Sequence, residues 1–201
     1  MFIQVIQGHV DDAGALRAAT QRWMRDLAPR ATGWLGSTEG VTADGTGIAL
    51  VRFASQEDAQ RNSERPEQHE WWMDTAKLFT GDVTFQDSGD VRTMGAGTPA
   101  DAGFVQVVQG RSTDVAATIE VMTGLLGPMA ELRPEILGGA LCLHPDGRFT
   151  QAMYFTSEAE ARAGERREPP PEVAAQLARL QSLLQDVTYL DLTNPWLDRP
   201  R

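Results

Sequence analysis

The sequence has few of the side chains on which metal and disulfide chemistry depend. Its 201 residues include one cysteine, Cys142, and three histidines, His9, His69 and His144. A single cysteine cannot form a disulfide within the chain. The histidines are scattered, with none of the HxxxH or CxxC spacings that hold metal ions. We therefore expect a reducing, cytoplasmic location and predict no metal site.

Positive charge is also scarce, with 18 Lys+Arg against 28 Asp+Glu, a formal net charge of -10 and an isoelectric point near 4.7. Such a chain is not attracted to nucleic-acid phosphates or to anionic lipid. No apolar run approaches the roughly 18 residues that span a bilayer, and the N-terminal residues do not resemble a signal peptide. No glycine-rich nucleotide-binding loop follows a strand. We predict no nucleic-acid partner, no membrane association and no cofactor.

An internal duplication organises what is present. The segment FIQVIQG begins at Phe2, and FVQVVQG begins at Phe104, 102 residues further on. Several other pairs match at the same spacing, among them Asp44-Gly45 with Asp146-Gly147. Such self-similarity predicts two equivalent structural repeats. We assign residues 1–90 to the first repeat, 91–103 to a linker, 104–192 to the second repeat and 193–201 to a C-terminal tail.

Each repeat shows the signals of a β-α-β-β-α-β order. Apolar strands follow Phe2 and Phe104, and Asp12 and Asp114 are placed as N-caps of the helices after them. The two Asp-Gly pairs favour tight antiparallel hairpins. This order is that of the ferredoxin-like fold, in which helices cover one face of a four-stranded sheet. The predicted fold class is therefore α+β, with two ferredoxin-like repeats whose bare sheet faces meet in a single-chain pseudo-dimeric α+β barrel.

Alternation along the strands predicts which polar residues share a face. We assign the purely apolar strand faces to the helices. Gln4, Arg52, Gln106 and Tyr154 are then expected to point into the space between the two sheets, as substrate-binding residues of an apolar cavity. The alternative is that these four side chains only bond to one another across the junction of the repeats.

The segment RNSERPEQHEWW, residues 61–72, brings together Asn62, His69, Trp71 and Trp72. Histidine can transfer a proton near neutral pH, and indole offers a flat stacking surface with a hydrogen-bond donor. The alternative interpretation is structural, because tryptophans on an amphipathic helix usually belong to the core. The equivalent stretch, residues 162–175, has no histidine or tryptophan. If the segment forms a site, that site is single and belongs to the first repeat.

The strand-to-helix junction Phe53-x-Ser55, the helix Pro66-x-x-His69-x-x-Trp72 and the βαββαβ order resemble the antibiotic-biosynthesis-monooxygenase type of the dimeric α+β barrel superfamily, here fused in tandem. In that family's oxygenases an Asn and a Trp orient an aromatic substrate, whose anion reduces dioxygen without metal or flavin. Haem-degrading relatives carry an Asn on the first strand, where this chain has Gln4, so the resemblance does not extend to haem.

The resemblance implies a cofactor-independent monooxygenase acting on a small aromatic or quinol-like compound. We predict His69 as proton carrier, with Asn62 and Trp72 as further catalytic residues and Trp71 binding the substrate. The alternative is a non-catalytic accessory protein that holds a small apolar or aromatic molecule. In either case we expect a monomer or a homodimer of pseudo-dimers.

Overall fold

The computed structural model describes residues 1–200, which form two compact units. Unit 1 contains Met1–Val91 together with residues 194–200, and unit 2 contains residues 92–193. Each unit holds one five-stranded antiparallel sheet with helices. The prediction of an α+β protein built from two ferredoxin-like repeats is confirmed.

Unit 1 follows the order β1 (Phe2–Val10), α1 (Ala13–Asp26), β2 (Trp34–Val41), β3 (Thr46–Phe53), α2 (Gln56–Ser63), α3 (Pro66–Ala76) and β4 (Phe79–Ser88). Unit 2 repeats it with β6 (Phe104–Ser112), α4 (Val115–Leu132), β7 (Ile136–Leu143), β8 (Arg148–Phe155), α5 (Glu158–Glu165), α6 (Pro171–Leu183) and β9 (Leu184–Leu192). Two further strands, β5 (Asp90–Gly95) and β10 (Trp196–Asp198), complete the sheets. The strand orders are β10-β2-β3-β1-β4 and β5-β7-β8-β6-β9.

The local signals act as the sequence predicts. The Asp12 side chain accepts a hydrogen bond of 2.9 Å from the Ala15 amide, which caps α1, and Asp114 caps α4 in the same way. Gly45 and Gly147 have φ angles of 86° and 84°, the left-handed backbone that their tight hairpins require. Equivalent residues therefore begin and turn equivalent elements in both units.

The two segments outside the repeats contain edge strands. Strand β5 occupies the start of the segment expected to be a linker and pairs with β7, while β10 lies in the expected tail and pairs with β2. The reason is that β2 and β7 would otherwise present unpaired backbone groups at a sheet edge. Both sheets therefore have five strands where the βαββαβ pattern alone predicts four.

The strand register corrects the expected faces in unit 1. Gln4 pairs with Val51, and Ile3 pairs with Arg52. Paired residues of adjacent strands share a face, so Gln4 lies on one side of the sheet and Arg52 on the other. The Gln4 side is the one that the helices cover, because Phe2 on that side packs with Trp23 of α1. The prediction that Gln4 and Arg52 point the same way is therefore wrong.

The same correction holds in unit 2. Gln106 pairs with Met153, and Tyr154 pairs with Val105. The expected common face fails because it rests on the alternation within each strand alone. Alternation divides one strand into two faces, but only the pairing with the neighbouring strand identifies which faces coincide.

Helix α4 is long and apolar enough to cross a membrane by length and composition alone. Its Val121 and Leu125 pack against Val173 of α6, and its Ile119 and Met122 pack on a cluster of sheet residues. The apolar side of α4 thus covers the sheet of unit 2.

Candidate functional site

A cavity of about 100 Å³ lies in unit 1 between the sheet and the helices. Its size is of the order of a cavity of about 150 Å³ that accepts benzene. All five tryptophans of the chain line it: Trp23, Trp34, Trp71, Trp72 and Trp196. Unit 1 therefore concentrates the chain's indole rings around one space.

The indole rings form a continuous series of contacts. The ring centroids of Trp23 are 5.1 Å from those of Trp34 and 6.4 Å from those of Trp71, and Trp71 lies 6.3 Å from Trp72. Trp23 Nε1 donates to Gln68 Oε1 at 2.6 Å, and Trp71 Nε1 donates to the carbonyl oxygen of Ala19 at 3.0 Å. These contacts hold the rings as fixed, flat walls.

Trp34 provides an unused donor at this cavity. Its side chain is buried, and its Nε1 atom has no hydrogen-bond partner among residues 1–200. A buried N–H group without a partner costs free energy, on the order of 1–3 kcal/mol. A bound molecule with an acceptor oxygen would remove that cost.

Asn62 is held with its amide in a defined orientation. The residue is 7% exposed, lines the cavity and accepts a hydrogen bond of 3.0 Å at Oδ1 from Arg65 Nη1. A guanidinium group can only donate, so Arg65 fixes the amide oxygen on its own side. The Nδ2 group has no partner among residues 1–200 and remains a donor for a ligand.

Glu39 of β2 is the single titratable side chain among the described lining residues. Burial raises its pKa from 4.5 to about 7. A hydrogen bond from Ser37 and the positive charges of Arg17 and Arg52 act against this rise, while the negative charge of Asp198 adds to it. The carboxyl group therefore exchanges its proton near neutral pH.

Strand β10 forms one border of the cavity. Trp196 pairs with Glu39 across the β10–β2 ladder and lines the cavity. The Arg17 guanidinium lies 5.1 Å from the centre of the Trp196 ring and forms an ion pair of 2.9 Å with Asp198. The α1 helix thus holds the C-terminal strand in place beside Glu39.

The predicted site residues fall into two groups in unit 1. Gln4, Asn62, Trp71 and Trp72 line the cavity together. His69 is exposed on α3 and is absent from the described lining residues, although Gln68, the residue before it, lines the cavity. The position of His69 at the site, expected from its spacing to Trp72, is therefore wrong, because the cavity-facing side of α3 includes residues 68, 71, 72 and 75.

The other three predicted binding residues lie elsewhere. Arg52 is buried on the opposite face of the sheet, where its Nη1 donates to Thr38 Oγ1 at 2.8 Å. Gln106 belongs to unit 2 and donates from Nε2 to Asp191 Oδ1 at 2.9 Å. Tyr154 is fully buried in unit 2. None of the three lines the tryptophan cavity.

Residues 1–200 contain no group of three His, Cys, Asp or Glu side chains arranged to hold a metal ion. The polar lining of the cavity consists instead of amides, hydroxyls, indole N–H groups and one carboxyl group. Such a lining is suited to hydrogen bonding with an organic molecule.

Comparisons with known proteins identify the fold. No family model matches the sequence, and no curated protein matches it. Among solved structures, a candidate monooxygenase from Fusobacterium nucleatum subsp. nucleatum matches with a TM-score of 0.78 at 8% identity, over 98% of this chain and 94% of that chain. This chain and that structure share one fold over nearly their whole lengths.

Two other solved structures share this fold over nearly the full chain. A candidate monooxygenase from Lactobacillus acidophilus NCFM has a TM-score of 0.72 and 9% identity, with 98% of both chains covered. An anthrone oxidase-like protein has a TM-score of 0.67 and 13% identity, with 100% of this chain and 92% of that chain covered. The resemblance found in the sequence is thus confirmed at the level of the fold.

Sequence reasoning missed Glu39, Ser37 and Trp34 as site residues. A register shift between Trp34 and Gly36 places all three on the helix-covered face. Simple alternation along β2 would separate Trp34 from the other two. Two sequence signals were available: all tryptophans lie in the first repeat and the tail, and Leu141 stands 102 residues after Glu39.

Proposed function

We propose that unit 1 is a monooxygenase-type catalyst that oxidises a small aromatic or quinol-like compound with dioxygen in the tryptophan-lined cavity. The observation that carries this proposal is the convergence of five indole rings and one oriented amide, Asn62, on a single space. The fold shared with candidate monooxygenases and an anthrone oxidase-like protein supports it.

The cavity walls suit a flat, apolar ring. Aromatic rings bind one another through stacked or edge-to-face contacts that are worth about 0.5–1.5 kcal/mol beyond the area they bury. Asn62 Nδ2 and Trp34 Nε1 are two donors that an oxygen atom on that ring can use. A ligand with a ring and a carbonyl or hydroxyl oxygen uses both kinds of contact.

The same contacts favour oxidation. A phenol or enol reacts with dioxygen as its anion, which transfers an electron to dioxygen and then combines with it. Donors aimed at the substrate oxygen stabilise the negative charge that develops there, and they do so more strongly in an apolar space than in water. Asn62 and Trp34 have this role, with Trp71 and Trp72 positioning the ring.

Unit 2 lacks the two hydrogen-bond donors of the cavity, which supports a single site in unit 1. At a spacing of 102 residues, Gly164 stands in place of Asn62 and Ile136 in place of Trp34. The corresponding groove of unit 2 is lined mainly by Met and Leu side chains. Unit 2 therefore retains the fold without these two donors, as expected if only unit 1 carries a working site.

Oxygen uptake tests the proposal. The full chain is assayed with a panel of anthrones and hydroquinones, and binding is followed by quenching of the intrinsic tryptophan fluorescence. We expect Asn62→Ala to lower kcat/KM about 10- to 150-fold, the effect of one hydrogen bond to a charged group at about 1.5–3 kcal/mol. Trp72→Phe, which keeps a ring but loses the larger indole surface, should weaken substrate binding.

Two further variants separate function from folding. Asn62→Asp keeps an acceptor for Arg65 but removes the donor, so it should fold and still lose turnover. Gln181→Ala removes an exposed amide from α6 and should behave as the unaltered protein. Ligand binding without oxygen uptake would refute the enzyme and favour a carrier of apolar molecules.

A further inference from the structure

Glu39 is an unusual residue for its position in the fold. It stands on the helix-covered face of β2, opposite Ala49 of β3 and Trp196 of β10, in a cavity whose other described lining residues cannot titrate near neutral pH. A carboxyl group in such surroundings loses hydration when it ionises. Packing alone does not call for a carboxylate there.

The duplication shows that the fold does not need this carboxyl group. Strand β7 pairs with β8 in the same register as β2 pairs with β3, including the irregularity near its start. At the positions of Ser37 and Glu39, β7 carries Gly139 and Leu141. Leu141 is buried in an apolar cluster. Ser37 and Glu39 are therefore not required for folding, and we attribute them to the function of unit 1.

Charged groups from three neighbouring elements adjust the carboxyl group. Arg17 of α1 and Arg52 of β3 favour the ionised form, and Asp198 of β10 opposes it. The Ser37 hydroxyl bonds to the carboxylate from the same strand. Arg17 is paired with Asp198, and Glu39 has no ion pair within residues 1–200. A group in this condition can exist in both protonation states at neutral pH, as a general base must.

We propose that Glu39 is the general base of the cavity and accepts the hydroxyl proton of a phenolic or enolic substrate. The inference rests on the proposed function. The substrate O–H bond breaks, a bond forms between that proton and a Glu39 carboxylate oxygen, and the electron pair remains on the substrate oxygen. The resulting anion is the species that reduces dioxygen. The substrate class is thereby narrowed to compounds with an ionisable ring hydroxyl or its enol equivalent.

A comparison of two substrates tests this role. Anthrone has an enol tautomer whose ring hydroxyl is a weak acid that needs a base near neutral pH, whereas the chlorines of tetrachlorohydroquinone favour ionisation of its hydroxyl without one. With anthrone, kcat/KM of the unaltered protein should rise with pH about a midpoint near 7. Glu39→Gln should lower it by about 100-fold or more at pH 7.5, the scale of general-base catalysis. Both proteins should oxidise tetrachlorohydroquinone at similar rates.

Ser37→Ala provides a second test that keeps the carboxyl group. Loss of the hydroxyl removes a hydrogen bond that stabilises the carboxylate, so the midpoint of the anthrone profile should move to higher pH. Glu131→Gln, at an exposed position on α4, is the matched control and should leave the profile unchanged. Tryptophan fluorescence checks that each variant retains the cavity.

The outcomes separate the two proposals. Equal anthrone oxidation by Glu39→Gln and the unaltered protein, or an unmoved midpoint in Ser37→Ala, would overturn the role of Glu39 while oxygen uptake still supported the proposed function. Absence of catalysed uptake by the unaltered protein with either substrate would overturn both.

Discussion

The raised pKa of Glu39 predicts how the stability of the protein depends on pH, independently of any activity. Replacing Glu39 with Gln keeps the size of the side chain and removes its charge at every pH. We expect the free energy of unfolding of Glu39→Gln, relative to that of the unaltered protein, to increase between pH 4 and pH 8.5. The reason is that only the unaltered protein must ionise a carboxyl group in the cavity.

The sign and size follow from the two pKa values. Below pH 4.5 the carboxyl group is protonated in both the folded and the unfolded chain, so it makes no difference. Between 4.5 and about 7 the unfolded chain releases the proton and the folded chain retains it, so stability falls as pH rises. A shift from 4.5 to about 7 corresponds to about 3 kcal/mol at 1.36 kcal/mol per unit. For a chain of this length that is about 6–12 °C in Tm.

Thermal unfolding of both proteins at half-unit steps of pH measures this difference. Glu131→Gln, an exposed substitution with the same change in net charge, corrects for the general effect of removing one of the chain's excess negative charges. The difference in Tm between Glu39→Gln and the unaltered protein should grow with pH and level off above pH 8. A difference that stays constant over this range, or one that Glu131→Gln reproduces, would refute the raised pKa.

Three further predictions concern the supports of the two units. Gly164→Ala should lower the free energy of unfolding, measured in urea, by about 1–3 kcal/mol, because the new Cβ would collide with the Glu135 carboxylate. Gly127→Ala, at a position on α4 with open space around it, should raise that free energy by about 0.5–1 kcal/mol. Burial raises the pKa of Glu135, but hydrogen bonds from Arg133 and Arg167 lower it more, so that it lies below 4.5 overall. The ionised carboxylate therefore stabilises the folded chain at neutral pH, and Glu135→Gln should destabilise it most at pH 7 and less toward pH 4 in the same assay. Truncation after residue 193 removes the charge of Asp198 and the strand that pairs with Glu39, both of which favour the raised pKa of Glu39. The pH-dependent difference in Tm between Glu39→Gln and its parent should therefore be smaller in the truncated chain.

The fold could be predicted from the sequence because its signals are local and occur twice. The N-cap at Asp12, the Asp-Gly hairpin at Gly45 and the proline that opens α3 at Pro66 each act within a few residues, and the copies in unit 2 repeat the first two at Asp114 and Gly147. The edge strands β5 and β10 carry no comparable signal. They are defined by the unpaired edges they cover, which lie far away in sequence.

Most of the predicted residues that line the cavity come from one short segment of the sequence, and Gln4 of β1 is the exception. Asn62, Trp71 and Trp72 reach the cavity from α2 and α3, as the segment around them suggests. His69 does not, because one position along a helix turns a side chain by about 100° away from its neighbour's direction. Gln4 and Arg52 were separated by the register of β1 and β3, which depends on a pairing between strands that no single strand encodes.

The two units share one fold and differ at the positions that line the cavity of unit 1, so each serves as a control for the other. Unit 2 keeps the strand register, the caps and the hairpin of unit 1, yet it replaces the carboxyl of Glu39 with the apolar side chain of Leu141 and the amide of Asn62 with the bare backbone of Gly164. In unit 2 the space beside Gly164 is filled by the buried carboxylate of Glu135, just before β7, which forms ion pairs with Arg133 and Arg167. In unit 2 this region therefore stabilises the fold. Unit 1 instead has an amide donor, an indole donor and a titratable carboxyl group lining an aromatic cavity. Ionising that carboxyl group lowers the stability of the folded chain, and the pH dependence of Glu39→Gln measures this cost directly.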